Sequence, residues 1–97
     1  MSKKINKSEF EKEVLSSKDV VLVDFYADWC GPCKMLGPVM DSITECPVYK
    51  INVDDEGEIA QQYGIMSIPC VIAFQDGKEK NRSIGLVSKE EILNLIK

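Results

Sequence analysis

The sequence predicts an α/β fold in which a β-sheet carries helices on both faces. The strand expected over Val20–Tyr26 is apolar almost throughout, with Asp24 as its only charged residue, which is typical of a strand covered on both sides. A helix from Pro32 to about Glu45 and a strand over Val48–Val53 follow, and this order makes a right-handed βαβ unit. With 97 residues, the chain is expected to form one domain, residues 1–97.

The first two helices carry signals of their own. Asn6 and Ser8 are each followed three residues later by a glutamate, so either residue can cap a helix that runs to about Ser17. The helix that starts at Pro32 contains Pro38, which removes a backbone hydrogen bond and should kink it.

The second half of the chain is punctuated by turn and capping residues. A short helix from Glu58 to about Tyr63 should stop at Gly64. Asp76-Gly77, between two apolar segments, predicts a hairpin. Its strands are Cys70–Gln75 and about Glu79–Leu86. Ser88-Lys89-Glu90-Glu91 is a capping box that opens a final helix.

Composition narrows the possible functions. The net charge is −4 and charges of both signs are mixed along the chain, so no basic surface for nucleic acid or an anionic membrane is expected. No stretch has the pattern of a signal peptide or of a membrane span, which predicts a cytoplasmic protein. The four cysteines are therefore expected to be reduced on average. Histidine is absent, which excludes Cys/His proteases, His-containing zinc sites and a histidine general base.

The C-x-x-C motif of Cys30 and Cys33 indicates redox chemistry. Two cysteines three residues apart on a helical turn face the same way and can form or open a disulfide. At the helix start, free N–H groups and the helix dipole favour a thiolate at Cys30, the predicted nucleophile. Cys33 lies a turn inside, where we expect better shielding, and is suited to attack a mixed disulfide. A purely structural bridge is less favoured, since so short a loop gains only about 2 kcal/mol.

Other residues near this motif allow two interpretations. Asp24 is either a functional carboxylate in a buried strand or an edge residue that reaches water. Lys50, in the neighbouring strand, is either its partner or a surface residue, and we assign it to the support of proton transfer. Trp29 either belongs to the core or shields the dithiol and offers a contact surface. For the Ile68–Pro69 bond, sequence statistics alone favour the trans form.

Motifs along nearly the whole chain resemble those of the thioredoxin family. In order, they are Val21-Leu22-Val23-Asp24-Phe25, Trp29-Cys30-Gly31-Pro32-Cys33-Lys34, Pro38, Gly64-Ile65, Ile68-Pro69 and Gly85. The resemblance implies a thioredoxin-like fold, with a central mixed β-sheet flanked by helices on both faces.

The resemblance also implies roles for individual residues. Cys30 would attack, Cys33 would resolve, and Asp24 would lie buried behind Cys33 as the proton acceptor. The bond before Pro69 would be cis. An extended substrate segment would bind beside the dithiol in a groove formed by Trp29, Gly31, Pro32, Ile68, Pro69 and Gly85.

The predicted function is reduction of protein disulfides through a reversible Cys30/Cys33 dithiol–disulfide cycle. The chain would be a cytoplasmic electron carrier whose partners are disulfide-containing proteins and a reductase of the thioredoxin-reductase type. No nicotinamide or flavin site is recognisable, so no cofactor is expected beyond the redox-active disulfide. We expect a monomer, with neither nucleic acid nor a membrane as partner.

Two other classes remain open. In one, Cys30, Cys33, Cys46 and Cys70 hold zinc or an iron–sulfur cluster, although only one C-x-x-C is present. In the other, the fold is a docking module without catalysis.

Three features depart from the pattern of the resemblance and bear on substrate preference. The stretch Thr44–Pro47 is short, Cys70 stands where a threonine is common, and Leu86 is bulkier than the small residue often found after Gly85. We expect Cys70 to be a buried, inert thiol, since free cysteine packs as a small hydrophobe.

Overall fold

The computed structural model describes residues 2–97, and Met1 lies outside the described residues. In chain order the strands and helices are β1 (Lys3–Lys4), α1 (Lys7–Glu9, continued as a π-helix over Phe10–Leu15), β2 (Val21–Tyr26), α2 (Gly31–Asp41), β3 (Val48–Asn52), α3 (Gly57–Gln62), β4 (Cys70–Gln75), β5 (Lys78–Ile84) and α4 (Lys89–Asn94).

The five strands form one mixed sheet in the order β1-β3-β2-β4-β5. Strands β1, β3 and β2 run parallel, whereas β4 and β5 are antiparallel to their neighbours. Strand β2 therefore lies at the centre, and β2-α2-β3 is the predicted βαβ unit. The β4–β5 hairpin is also confirmed, with positive φ at Asp76 and Gly77, as tight hairpin turns require.

Alternation along β2 divides the core into two layers. Val21, Val23 and Phe25 point to the face covered by α1 and α3, where Phe10 and Ile59 are buried. Leu22 points to the other face, which α2 and α4 cover through residues such as Leu36, Met40 and Ile92. The predicted fold class, a sheet with helices on both faces, is confirmed. Asp24, two residues after Leu22, lies on the α2 face.

Several boundaries differ from the predicted ones. Helix α2 ends at Asp41 rather than near Glu45, and the Ser42 hydroxyl donates to the Val39 carbonyl in the last turn. Strand β5 ends at Ile84 rather than Leu86, because Gly85 turns the chain with a φ of 91°. Strand β1 has no counterpart in the prediction, since its two lysines carry no apolar pattern and form a strand only by pairing with β3.

Candidate active site at the carboxyl end of strand β2

The two cysteines of the C-x-x-C motif lie where β2 leads into α2. They are joined by a disulfide, with Cα atoms 5.2 Å apart. Cys30 is the N-cap of α2, and its Sγ accepts a hydrogen bond from the backbone N–H of Cys33 at 3.2 Å. Pro32 lies in the first turn, where its missing N–H leaves no hydrogen bond unmade. The backbone N–H groups at a helix N-terminus favour an anion at such a position.

Exposure does not distinguish the two cysteines. Each retains 5% of its surface, so the prediction that Cys33 is better shielded is wrong for the disulfide form. The reason lies in a neighbouring loop, since Ile68 packs against the pair and its carbonyl oxygen lies 3.8 Å from the Cys30 Sγ. What differs is the surroundings, because Cys33, and not Cys30, lines a cavity shared with Asp24.

Asp24 is buried without a counter-ion. It is 3% exposed, and its Oδ1 has no hydrogen-bond partner within residues 2–97. Burial raises its pKa to about 7, although the nearby Lys50 ammonium lowers the pKa and the Asp41 carboxylate raises it. A carboxyl group with this pKa can both accept and return a proton near neutral pH. Because β2 is the central strand of the sheet, the alternative of an edge position is wrong.

A cavity of about 160 Å³ connects Asp24 with the dithiol and with the charges around it. It is lined by Asp24, Tyr26, Ala27, Asp28, Cys33, Lys34, Gly37 and Lys50. Lys50 is the register partner of Asp24 in the parallel β2–β3 pair and is half-buried. The structure thus brings three predicted site residues to one cavity: Asp24, the predicted proton acceptor, Cys33, the predicted resolving thiol, and Lys50, the predicted support of proton transfer.

The predicted groove residues surround the disulfide. Trp29 is largely exposed, and its indole Nε1 donates to the Asp54 Oδ2 at 2.8 Å. Gly31 and Pro32 are exposed at the start of α2. The Ile68–Pro69 peptide bond is cis, as the resemblance implies. The Gly85 N–H donates to the Pro69 carbonyl at 2.8 Å, which fixes the end of β5 beside this loop.

The remaining two cysteines do not converge on the site. Cys70 is fully buried in the layer under α1 and α3, whereas Cys46 is half-buried against the layer under α2 and α4. The two faces of the sheet therefore separate them, and the four cysteines do not form one cluster. Within the described residues, no group of three or more side chains has the arrangement of a metal site, and no helix is long and apolar enough to cross a membrane.

Two residues of the site were not predicted from the sequence. Tyr26 lines the cavity, and the period of two along β2 already places it on the same face as Asp24, so the pattern contained this signal. Asp54 orients the Trp29 indole from the loop after β3. Sequence alone does not show that this loop reaches Trp29.

Comparison with known proteins gives a consistent result. The family model described as thioredoxin matches residues 1–97. The thioredoxin of Rickettsia felis is 45% identical over 101 aligned positions, covering 99% of this chain and 96% of that protein. The thioredoxin of Mycoplasmoides gallisepticum is 45% identical, covering 95% of each chain. Among solved structures, a mutant thioredoxin from Halobacterium salinarum NRC-1 superposes with a TM-score of 0.88 at 38% identity, covering 98% of this chain and 87% of that one.

The buried Asp24 predicts an unusual dependence of stability on pH. The pKa of Asp24 in the folded protein lies above its value in the unfolded chain. Its contribution to the free energy of unfolding is therefore fully present below about pH 4 and is lost as pH rises to about 7. The full loss is on the order of 4 kcal/mol. Asp24→Asn, which cannot ionise, should therefore be more stable than the parent chain at about pH 8 and close to it at about pH 4. Denaturant unfolding of the oxidised proteins measures this, and an equal difference at both pH values would contradict it.

The two free cysteines should differ in reactivity. Burial raises the pKa of both thiols, but Cys70 is fully buried and Cys46 only partly. In the folded, oxidised protein we expect an alkylating reagent to label Cys46 at least about tenfold faster than Cys70. Peptide mapping over a time course gives both rates. Rapid labelling of Cys70, or a bridge from Cys70 to Cys30 after peroxide treatment, would overturn its inert role.

Proposed function

Since the chain belongs to the thioredoxin family and is a protein dithiol–disulfide oxidoreductase, we propose that Cys30 is its attacking thiol and Cys33 its resolving thiol. The observation that supports this order is the Cys30 Sγ at the N-cap of α2, where it accepts the Cys33 N–H. That position favours the thiolate, which is the nucleophile in disulfide exchange. Cys33 instead lines the cavity of Asp24, the group suited to activate it for the second step.

The proposed cycle has two exchange steps. In the first, the Cys30 thiolate attacks a substrate disulfide, the substrate S–S bond breaks, and one substrate thiolate leaves and takes a proton from water. In the second, Asp24 accepts the proton of the Cys33 thiol, and the Cys33 thiolate attacks the Cys30 sulfur of the mixed disulfide. The second substrate thiolate then leaves, and Cys30 and Cys33 form the disulfide. The substrate gains two electrons and the dithiol loses two.

Asp24 and Lys50 form the proposed proton-transfer group. A carboxyl group with a pKa of about 7 is present in both protonation states at neutral pH, which suits a general base for a thiol. The ammonium of Lys50, on the neighbouring strand, limits the rise of that pKa by favouring the carboxylate. With no histidine in the chain, Asp24 is the group best placed for this task.

The substrate is proposed to bind on an apolar surface around the disulfide. Within residues 2–97, five large apolar side chains are 46% to 96% exposed: Trp29, Met35, Met66, Ile84 and Leu86. Trp29 and Met35 flank the dithiol in sequence, and Met66 precedes Ile68 in the loop against Cys30. Ile84 and Leu86 flank Gly85. We propose that these side chains form one surface, because contiguous exposed apolar patches mark docking sites. We assign to it an extended segment of a disulfide-containing protein, bound beside Trp29, Gly31, Pro32, Ile68, Pro69 and Gly85.

The chain acts as one domain and one monomer in the cytoplasm, where it carries electrons from a reductase of the thioredoxin-reductase type to protein disulfides. The Cys30–Cys33 disulfide is its redox group, and no further cofactor is proposed. Reduction of insulin disulfides, coupled in turn to candidate reductases, tests the activity and the electron donor together.

Replacing each cysteine separately should give different products. Cys30→Ser lacks the attacking thiol and should form no mixed disulfide with substrate, whereas Cys33→Ser cannot complete the second step and should accumulate one. Non-reducing electrophoresis after incubation with an oxidised protein substrate shows the adduct, and reduction should release it. Equal accumulation by both variants would contradict the assignment of the two roles.

Leu86→Ala should weaken the reduction of proteins but not of small disulfides. Removing a half-exposed leucine side chain from the docking surface should lower kcat/KM for insulin about fivefold, mainly through KM. The rate with hydroxyethyl disulfide, which is too small to reach Leu86, should not change. Leu93→Ala, on helix α4, is the matched control and should affect neither substrate. An equal loss of activity with insulin and with hydroxyethyl disulfide would show that Leu86 does not act in the docking of protein substrates.

A further inference from the structure

Lys50 does not form an ion pair with the carboxylate opposite it. It is the register partner of Asp24, and both line the same cavity. Yet within residues 2–97, no ion pair within 4.0 Å joins Lys50 to any carboxylate, and the Asp24 Oδ1 has no partner. The Lys50 Nζ lies instead over the ring of Tyr26, 5.4 Å from its centroid.

This contact is a cation–π interaction. The negative face of an aromatic ring attracts an ammonium group within about 6 Å, and the attraction is larger where water is partly excluded. Tyr26 follows Asp24 by two residues on β2, so both side chains lie on the face that Lys50 adjoins. The ring and the carboxyl group therefore compete for one cation.

We propose that Tyr26 is a positioning residue, whose ring holds the Lys50 ammonium to one side of the cavity and so leaves the Asp24 carboxyl group without a counter-ion. The inference rests on the proposed role of Asp24 as proton acceptor. It assigns a function to a residue that packs against the cluster of Ala27, Cys30 and Cys33 and lines the cavity of Asp24.

The other charges around Asp24 do not replace this contact. Asp28, in the segment after β2, and Lys34, on α2, also line the cavity. Asp41, further along α2, raises the pKa of Asp24, but its carboxylate is itself bound by the Ser2 backbone N–H at 3.0 Å and hydroxyl at 2.5 Å. Lys4, the neighbour of Lys50 on β1, pairs with Asp55 at 3.0 Å. Among these groups, Lys50 is the cation that the β2–β3 register places opposite Asp24.

Two variants of Tyr26 separate the ring from its hydroxyl group. Tyr26→Phe keeps the ring face and should leave Lys50 in place, whereas Tyr26→Leu removes the ring and frees the ammonium to approach Asp24. Carbon NMR of the Asp24 carboxyl group in the oxidised protein gives its titration midpoint directly. We expect a midpoint lower by roughly half a pH unit in Tyr26→Leu and unchanged in Tyr26→Phe.

Lys50→Met supplies the closing control, as a double-mutant cycle. In this background there is no ammonium to redirect, so Tyr26→Leu should leave the Asp24 midpoint unchanged. A shift of equal size with and without Lys50 would overturn the inference, as would an unchanged or raised midpoint in Tyr26→Leu alone. The cycle remains decisive even if Tyr26→Leu loosens the packing, because both arms carry that change.

The pH profile of the second exchange step distinguishes this inference from the role of Asp24 itself. If Asp24 is the proton acceptor, the rate of mixed-disulfide resolution depends on its ionisation. The midpoint of the pH profile of that rate in Tyr26→Leu should then shift by the same amount as the NMR midpoint. An NMR shift without a kinetic shift would uphold the position of Lys50 and reject Asp24 as acceptor. A kinetic midpoint that coincides with an unshifted NMR midpoint of Asp24 would uphold Asp24 as the proton acceptor and reject the proposed role of Tyr26.

Discussion

The burial of one carboxyl group without a counter-ion is the constraint on which this site depends. Asp24 lies in the central strand, between a neighbour that carries Lys50 and a helix that carries Cys33. Burying a carboxylate costs free energy. Asp24 avoids most of this cost below a pH of about 7, because there the group holds its proton and is neutral. At neutral pH and above, the strand is thus less stable than an apolar residue would make it.

Helix α2 connects this carboxyl group to the surface. Its N-cap, Cys30, and its third residue, Cys33, carry the two sulfurs, and its inner side lines the cavity of Asp24. The two cysteines are equally covered in the disulfide form, so they differ in what surrounds each sulfur and not in exposure. The Cys30 sulfur lies against the Ile68 carbonyl, and Cys33 lines the cavity.

The fold and the core of the site were predictable because their signals are local or periodic. The apolar run of β2, the Asn6 capping box and the Asp76-Gly77 turn all act within a few residues, and the structure confirms each. The cis bond before Pro69 came from the resemblance, since residue statistics alone favour trans. What could not be predicted depends on distant contacts: the pairing of β1 with β3, the cover that Ile68 gives Cys30, and the position of Lys50 over Tyr26.

The strands at the two sides of the sheet have a consequence for how the molecule behaves in a crowded solution. Strand β1 consists of two lysines, and β5 carries Lys78, Lys80 and Arg82, so five of the twelve basic residues lie on these two strands. An outer strand offers unpaired backbone groups to any passing β-strand, and charged side chains, lysine above all, discourage such pairing. The charged side chains on both outer strands therefore disfavour the addition of a further strand from another molecule.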